Sequence, residues 1–167
     1  MFVPFESLSG SSRIWIYQSN KKFSASEKDI LSQTLLAFTE KWQVHGEPMK
    51  ASFTICYDHF IVLAADEDHN AASGCSIDGS VRVLKELGQR LAVDFFNRSL
   101  AAFKKGDEIV LIPLGDLKKK SAEGLWNEDT LFFNNVIPSV ESLSKNWTVP
   151  AGGTWLKRYL PEQKLAL

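Results

Sequence analysis

The side chains best able to do chemistry are concentrated between Asp66 and Leu91, where a polar loop runs into a pattern typical of an amphipathic helix. The reactive and charged groups of this stretch are Asp66, Asp68, His69, Cys75, Ser76, Asp78 and Arg82. A cysteine just ahead of a helix lies in the positive field of the helix N-terminus, which stabilises a thiolate. This stretch is therefore the first place to look for a site.

One hypothesis for the stretch is a cysteine-dependent enzyme. Cys75 would be the nucleophile, His69 the base, and Asp66 or Asp68 the group that orients the base. The N–H groups of the helix would stabilise an oxyanion. The alternative for Cys75 is a small apolar residue buried where the helix begins. The sequence leaves enzymatic activity open.

The same stretch contains a glycine spacing that resembles a phosphate-binding loop. Gly74 and Gly79 are separated by four residues, but a Walker A loop needs a lysine and a serine or threonine directly afterwards. Ser80 and Val81 occupy those two positions. The spacing therefore indicates a glycine-containing helix start and no nucleotide cofactor.

The acidic run that begins at Asp66 also fails as a metal site. As a calcium loop it has Ala71 where glycine is required and Ile77 where the closing glutamate belongs. As a zinc site the sequence has too few candidate ligands, with no CxxC or HxxxH pair. We therefore predict no metal and no cofactor.

Composition limits the class of protein. The 167 residues are 44% hydrophobic and 23% charged, typical of one globular domain covering 1–167. Nineteen basic and twenty acidic residues give a net charge of −1, which argues against a nucleic-acid partner. No apolar run is long enough to cross a membrane, and the start of the chain lacks a signal-peptide pattern. Two cysteines form no disulfide framework, so a cytoplasmic location is expected.

The order of predicted elements indicates an α+β fold. Ser24 and Glu27 form a capping-box pattern, so a helix is expected to begin there and to end near Gly46. The expected order is strand 13–19, that helix, hairpin strands 51–57 and 60–65, a helix over about 76–93, and hairpin strands 100–103 and 108–113. This is the ferredoxin-like β-α-β-β-α-β order, an antiparallel sheet with helices on one face. The core would cover about 12–113 and a C-terminal extension about 114–167.

This topology predicts a site at one edge of the sheet. The first and third strands would lie side by side with their C-terminal ends at the same rim, so loop 18–22 would face loop 66–76. The N-termini of both helices and two lysines would make that rim positive. We predict that it binds a small anion or an acidic group of a protein partner. The predicted rim residues are Ser19, Asn20, Lys21, Lys22, His69, Cys75, Ser76 and Arg82.

The C-terminal third suggests a further hypothesis, a structural or oligomerising domain. Trp126, Trp147 and Trp155 fall in a region whose weak periodicity does not explain so many tryptophans. They would form either a second small core or an exposed aromatic surface for a partner. An oligomer is therefore possible.

Three segments carry a resemblance to a known family. They are SRIWIYQSNKKF (Ser12 to Phe23), KASFTICYDHFIVLAADEDHNAASGCSIDGSVR (Lys50 to Arg82) and VDFFNR (Val93 to Arg98). The chain resembles a family of small bacterial proteins often labelled "ABC transporter ATPase". The resemblance implies no established activity, and the incomplete Walker A pattern gives the label no support. No catalytic residue is carried over from it.

Overall fold

A computed structural model describes residues 1–68 and 71–162 of the chain and has a mixed α+β architecture with antiparallel sheets. The described α-helices are α1 (Ala25–Lys41), α2 (Gly74–Leu91), α3 (Leu117–Ala122) and α4 (Val140–Asn146). The described strands are β1 (Arg13–Gln18), β2 (Gln43–Val44), β3 (Glu47–Pro48), β4 (Lys50–Cys56), β5 (Phe60–Asp66), β6 (Leu100–Lys105), β7 (Glu108–Pro113), β8 (Leu131–Phe133) and β9 (Thr148–Pro150). The α+β class predicted from the sequence is confirmed.

The described chain divides into two compact units. The first unit contains Met1–Asn97 and Asn135–Lys145, and the second contains Arg98–Asn134 and Asn146–Leu167. The sequence placed the end of the core near residue 113, whereas this division falls between Asn97 and Arg98. Residues 135–145, which the sequence assigned to the C-terminal extension, also belong to the first unit.

The first unit is built on a three-stranded sheet in the order β1-β5-β4, with both neighbours antiparallel to β5. The apolar run from Phe60 to Ala65 is fully buried, as expected for a central strand covered on both faces. The β4–β5 hairpin turns at Tyr57 and Asp58, whose φ values are 54° and 55°. Two positive φ values are typical of the type I′ turn that matches strand twist. The predicted hairpin and central strand are confirmed.

The two long helices share a core with the central strand. Their buried leucines pack with apolar residues of β5, and that cluster includes Leu31, Leu35, Ile61, Leu63, Leu84, Leu87 and Leu91. Ser24 accepts from the N–H of Glu27 and donates its own N–H to the Glu27 carboxylate, so the predicted capping box is present. The prediction that α1 ends near Gly46 is wrong. The helix ends at Lys41, and Gly46 (φ 79°) turns the β2–β3 hairpin.

Helix α2 begins two residues earlier than predicted. Its N-cap is Ser73, which exchanges capping-box hydrogen bonds with Ser76. The last residue of the helix is Leu91, and its C-cap is Ala92, a left-handed residue with φ 53°. The N–H of Val93 then donates to the carbonyl of Gly88. Within residues 1–68 and 71–162, no helix combines the length and apolar character needed to cross a bilayer.

The ferredoxin-like topology is not confirmed, because the predicted fourth strand pairs elsewhere. Strand β6 lies in a separate four-stranded sheet of the order β7-β6-β8-β9, which belongs to the second unit. Its apolar side chains Ala101 and Phe103 pack into the core of that unit with Ile112 and Trp126. The main sheet of the first unit therefore has three strands in the split β-α-β order and lacks the fourth strand of a ferredoxin-like sheet.

Candidate functional site

The predicted rim does not form, because β1 and β5 run in opposite directions. Gln18 pairs with Phe60 and Arg13 pairs with Ala65. The loop after β1 therefore leaves the sheet where β5 begins, and the loop after β5 leaves it where β1 begins. Five residue steps of about 3.4 Å separate these ends by about 17 Å. The prediction that loops 18–22 and 66–76 face each other across one rim is wrong.

At the end of the sheet where β5 begins, residues that were predicted to bind an anion instead form hydrogen bonds and an ion pair within the protein. The Lys21 ammonium donates to the carbonyl of Leu91 at 3.1 Å and pairs with Glu27 at 3.0 Å. It therefore caps the C-terminus of α2, where a cation complements the helix dipole. Ser19 is buried and exchanges hydrogen bonds with the backbone of Lys21, and Asn20 accepts from the N–H of Asp94.

Lys22 is exposed at the same end. Its charge is one of several that lower the pKa of Asp58, after the stronger hydrogen bond from Lys28. Of the two lysines predicted to bind an anion, Lys21 instead pairs with a carboxylate of α1 and donates to the last carbonyl of α2. Lys22 lies far from Ser76 and Cys75, at the other end of the sheet.

At the opposite end, the start of α2 has its own internal partners. The Ser76 side chain is buried and accepts from the N–H of Ser73, and the Ser76 carbonyl accepts from the Trp42 indole at 2.9 Å. Asp66 accepts from the N–H of Asp68 at 2.9 Å, which closes the turn after β5. Ser76 therefore caps the start of α2 and Asp66 stabilises a turn, so both side chains already have structural partners within their own segment.

Cys75 is exposed in the first turn of α2. His69, its predicted base, lies outside the described residues, so the Cys75–His69 pair stays a prediction. Arg82 is exposed about two turns further along the helix. The other thiol, Cys56, is only partly exposed, and burial raises its pKa.

Sequence reasoning missed Glu67, which organises the loop before α2. One of its carboxylate oxygens accepts from the N–H of Ala72, and the other lies 3.9 Å from the Arg13 guanidinium. Among the described residues, no three His, Cys, Asp or Glu side chains are grouped closely enough to hold a metal ion.

A groove with a volume of about 440 Å³ lies between α1 and α2 in the first unit. The two helices are antiparallel. Trp42, which follows α1, donates a hydrogen bond to Ser76 at the start of α2. Lys21, which precedes α1, donates to the carbonyl of Leu91 at the end of α2. One helical stripe from each forms most of the groove. Its lining is Thr34, Ala37, Phe38, Lys41, Trp42, Gln43, Cys75, Ser76, Gly79, Val83 and Glu86.

The groove exists because small residues leave its centre unfilled. Ala37 is exposed, and a Cβ added to Gly79 would meet no atom within 4 Å. Phe38 and Val83 are half-buried and Trp42 is buried, so the groove has apolar walls and a polar group near each end. The spacing of Thr34, Ala37, Phe38 and Lys41 at i, i+3, i+4 and i+7 could have revealed this second face of α1.

Another cavity, of about 350 Å³, lies between β1 and residues 135–138. The N–H of Ile14 donates to the carbonyl of Pro138, and the Asn135 amide donates to Gln18 at 3.0 Å. This segment therefore covers the edge of the sheet at β1, which would otherwise be open. Natural proteins usually protect sheet edges in this way.

The tryptophans of the second unit are mostly structural. Trp126 and Trp147 are 1% and 6% exposed, whereas Trp155 is 44% exposed and packs edge-on against Phe132. Trp126 and Trp147 therefore belong to the interior, whereas Trp155 is exposed, and an oligomerising surface in this part of the chain stays a prediction.

Two carboxylates of the first unit predict a pH dependence of stability. Hydrogen bonding from the Ser24 backbone, helped by Lys21, lowers the pKa of Glu27, and a hydrogen bond from Lys28 lowers that of Asp58. A lowered pKa means that the stabilisation is present above about pH 4 and is lost as the pH falls through the folded-state value. Because solvent screens both pairs, their combined effect should not exceed about 1 kcal/mol.

We expect Glu27→Gln combined with Asp58→Asn to flatten the fall in unfolding free energy between about pH 5 and pH 3. Urea titrations of wild type and the double variant at each pH provide the measurement. An identical slope in the two proteins would show that other groups control the acid transition.

Comparison of the chain with protein-family models, curated proteins and solved structures gave no match. The family resemblance suggested by the sequence therefore stays a prediction.

Proposed function

We propose that this protein is a protein-interaction domain, with the α1–α2 groove as its binding site and an amphipathic helix as the partner segment. One observation carries the proposal: Ala37, Phe38 and Val83 line an open groove of about 440 Å³ along two antiparallel helices. Burying such apolar surface is favourable, and helix-in-groove docking is a common way to do so.

The dimensions of the groove suit a short helix. Cys75 and Glu86, near its two ends, are eleven residues apart on α2, which corresponds to about 16 Å or three helical turns. Apolar side chains at i, i+3 or i+4, and i+7 of a partner would meet the open space over Gly79, then Phe38, and then Val83. The missing side chain at Gly79 would allow the partner backbone a close approach.

A library of displayed amphipathic helical peptides, about 20 residues long, is a direct probe. Cys75 supplies the reporter, because it is exposed and lines the groove. In a Cys56→Ser background, peptides in the groove should slow iodoacetamide labelling of Cys75. The expected slowing is about tenfold at a peptide concentration of ten times Kd.

Two leucine substitutions on α2 provide matched variants. Gly79→Leu should fill the groove and weaken peptide binding by at least about tenfold. Gln89→Leu adds the same side chain at an exposed position outside the groove lining and should leave the affinity unchanged. Peptides that bind both variants equally, without protecting Cys75, would overturn the proposed site.

A further inference from the structure

The groove carries one unpaired charge near each end, and the two have opposite signs. Lys41 lies beside the end where Trp42 bonds to Ser76, and Glu86 lies toward the other end, where α2 passes Thr34. Both are exposed. Among residues 1–68 and 71–162, neither forms an ion pair or a side-chain hydrogen bond. Both charges are therefore available for ion pairs with a second molecule.

Resting on the proposed function of the groove, we propose that its partner is a second copy of this chain, whose helices α1 and α2 pack against the groove of the first copy while the first copy's helices pack against the groove of the second. A two-fold axis in the interface, at right angles to the line from Lys41 to Glu86, exchanges the two ends of the groove. Lys41 of each copy then faces Glu86 of the other, which gives two equivalent ion pairs across one isologous interface.

The apolar residues between the charges lie at the centre of this interface. Ala37, Phe38 and Val83 of each copy are brought against those of the other, with the charges at the periphery. This is the usual arrangement of a protein interface, with an apolar centre and a polar rim. An interface confined to one short groove and its rim is small, so we expect a weak dimer that dissociates on dilution.

Charge exchange tests the pairing directly. Lys41→Glu and Glu86→Lys each place like charges at both contacts, so each variant alone should self-associate about tenfold more weakly than wild type. The double variant restores opposite charges and should recover wild-type association. An equimolar mixture of the two single variants should form heterodimers, because every contact in the mixed pair is again between opposite charges.

Sedimentation velocity over about 5 to 500 μM gives the dimer constant, with one variant carrying a size tag to identify heterodimers. Lys85→Glu is the matched control, since Lys85 is exposed on α2 but does not line the groove. It should leave association unchanged. Circular dichroism checks that each variant retains its helices.

A wild-type protein that stays monomeric throughout this range would overturn the dimer. So would self-association that Lys41→Glu and Glu86→Lys leave unaltered. These failures are distinct from failure of the proposed function, because helical peptides that protect Cys75 would still identify the groove as an interaction site. Absence of both peptide binding and self-association would overturn the two proposals together.

Discussion

Replacing Trp126 by alanine is expected to destabilise the protein by about 3–5 kcal/mol. The ring is 1% exposed and stacks on Phe103 with 5.2 Å between the ring centroids. Its indole N–H also donates to the carbonyl of Leu117 at 2.8 Å. The substitution would therefore leave a large cavity in the core of the second unit and a buried carbonyl without its partner.

Urea unfolding followed by circular dichroism measures this loss without depending on tryptophan fluorescence. Trp155→Ala removes the same side chain from a position that is 44% exposed, and we expect a cost of about 1 kcal/mol or less. Equal costs for the two substitutions would contradict the assignment of Trp126 to the core.

The second large effect is expected from Gly88→Ala in α2. An added Cβ would lie 2.6 Å from the carbonyl oxygen of Val93 and 3.7 Å from the Phe95 ring. The oxygen cannot move freely, because the N–H of Val93 donates to the carbonyl of Gly88 at 2.9 Å. We expect a net destabilisation of about 1–3 kcal/mol, although alanine favours helices more than glycine does.

Gly79→Ala on the same helix is the matched control. Its Cβ would meet no atom within 4 Å, so the higher helix propensity of alanine should stabilise the protein by up to about 1 kcal/mol. Urea titrations of both variants give the two free energies of unfolding. The close contact at Gly88 would be disproved if both substitutions changed stability in the same direction and by the same amount.

Local signals in the sequence predicted local structure well. The capping box at Ser24 and Glu27 and the hairpin turn around Asp58 are both present. These features depend on residues close together in the chain, so their interactions are encoded within a few positions. The buried run from Phe60 to Ala65 likewise identified the central strand.

The candidate site was predicted poorly, because it depends on strand direction. The sequence placed Lys21 and Cys75 at one rim, but antiparallel pairing of β1 and β5 puts their loops at opposite ends of the sheet. Lys21 instead pairs with Glu27 and caps Leu91. A pattern of residue types does not specify which distant groups will neutralise a charge.

The sequence by itself determined the α+β class, the long helices, the hairpins and the central strand of this protein. Tertiary structure decided that β6 joins a second sheet and that position 88 has no room for a Cβ. It also decided that Ala37 and Gly79 leave a groove between α1 and α2. The division has a physical cause. Backbone preferences and apolar periodicity act over one element, whereas close contacts and unfilled space arise only when elements far apart in the chain pack together.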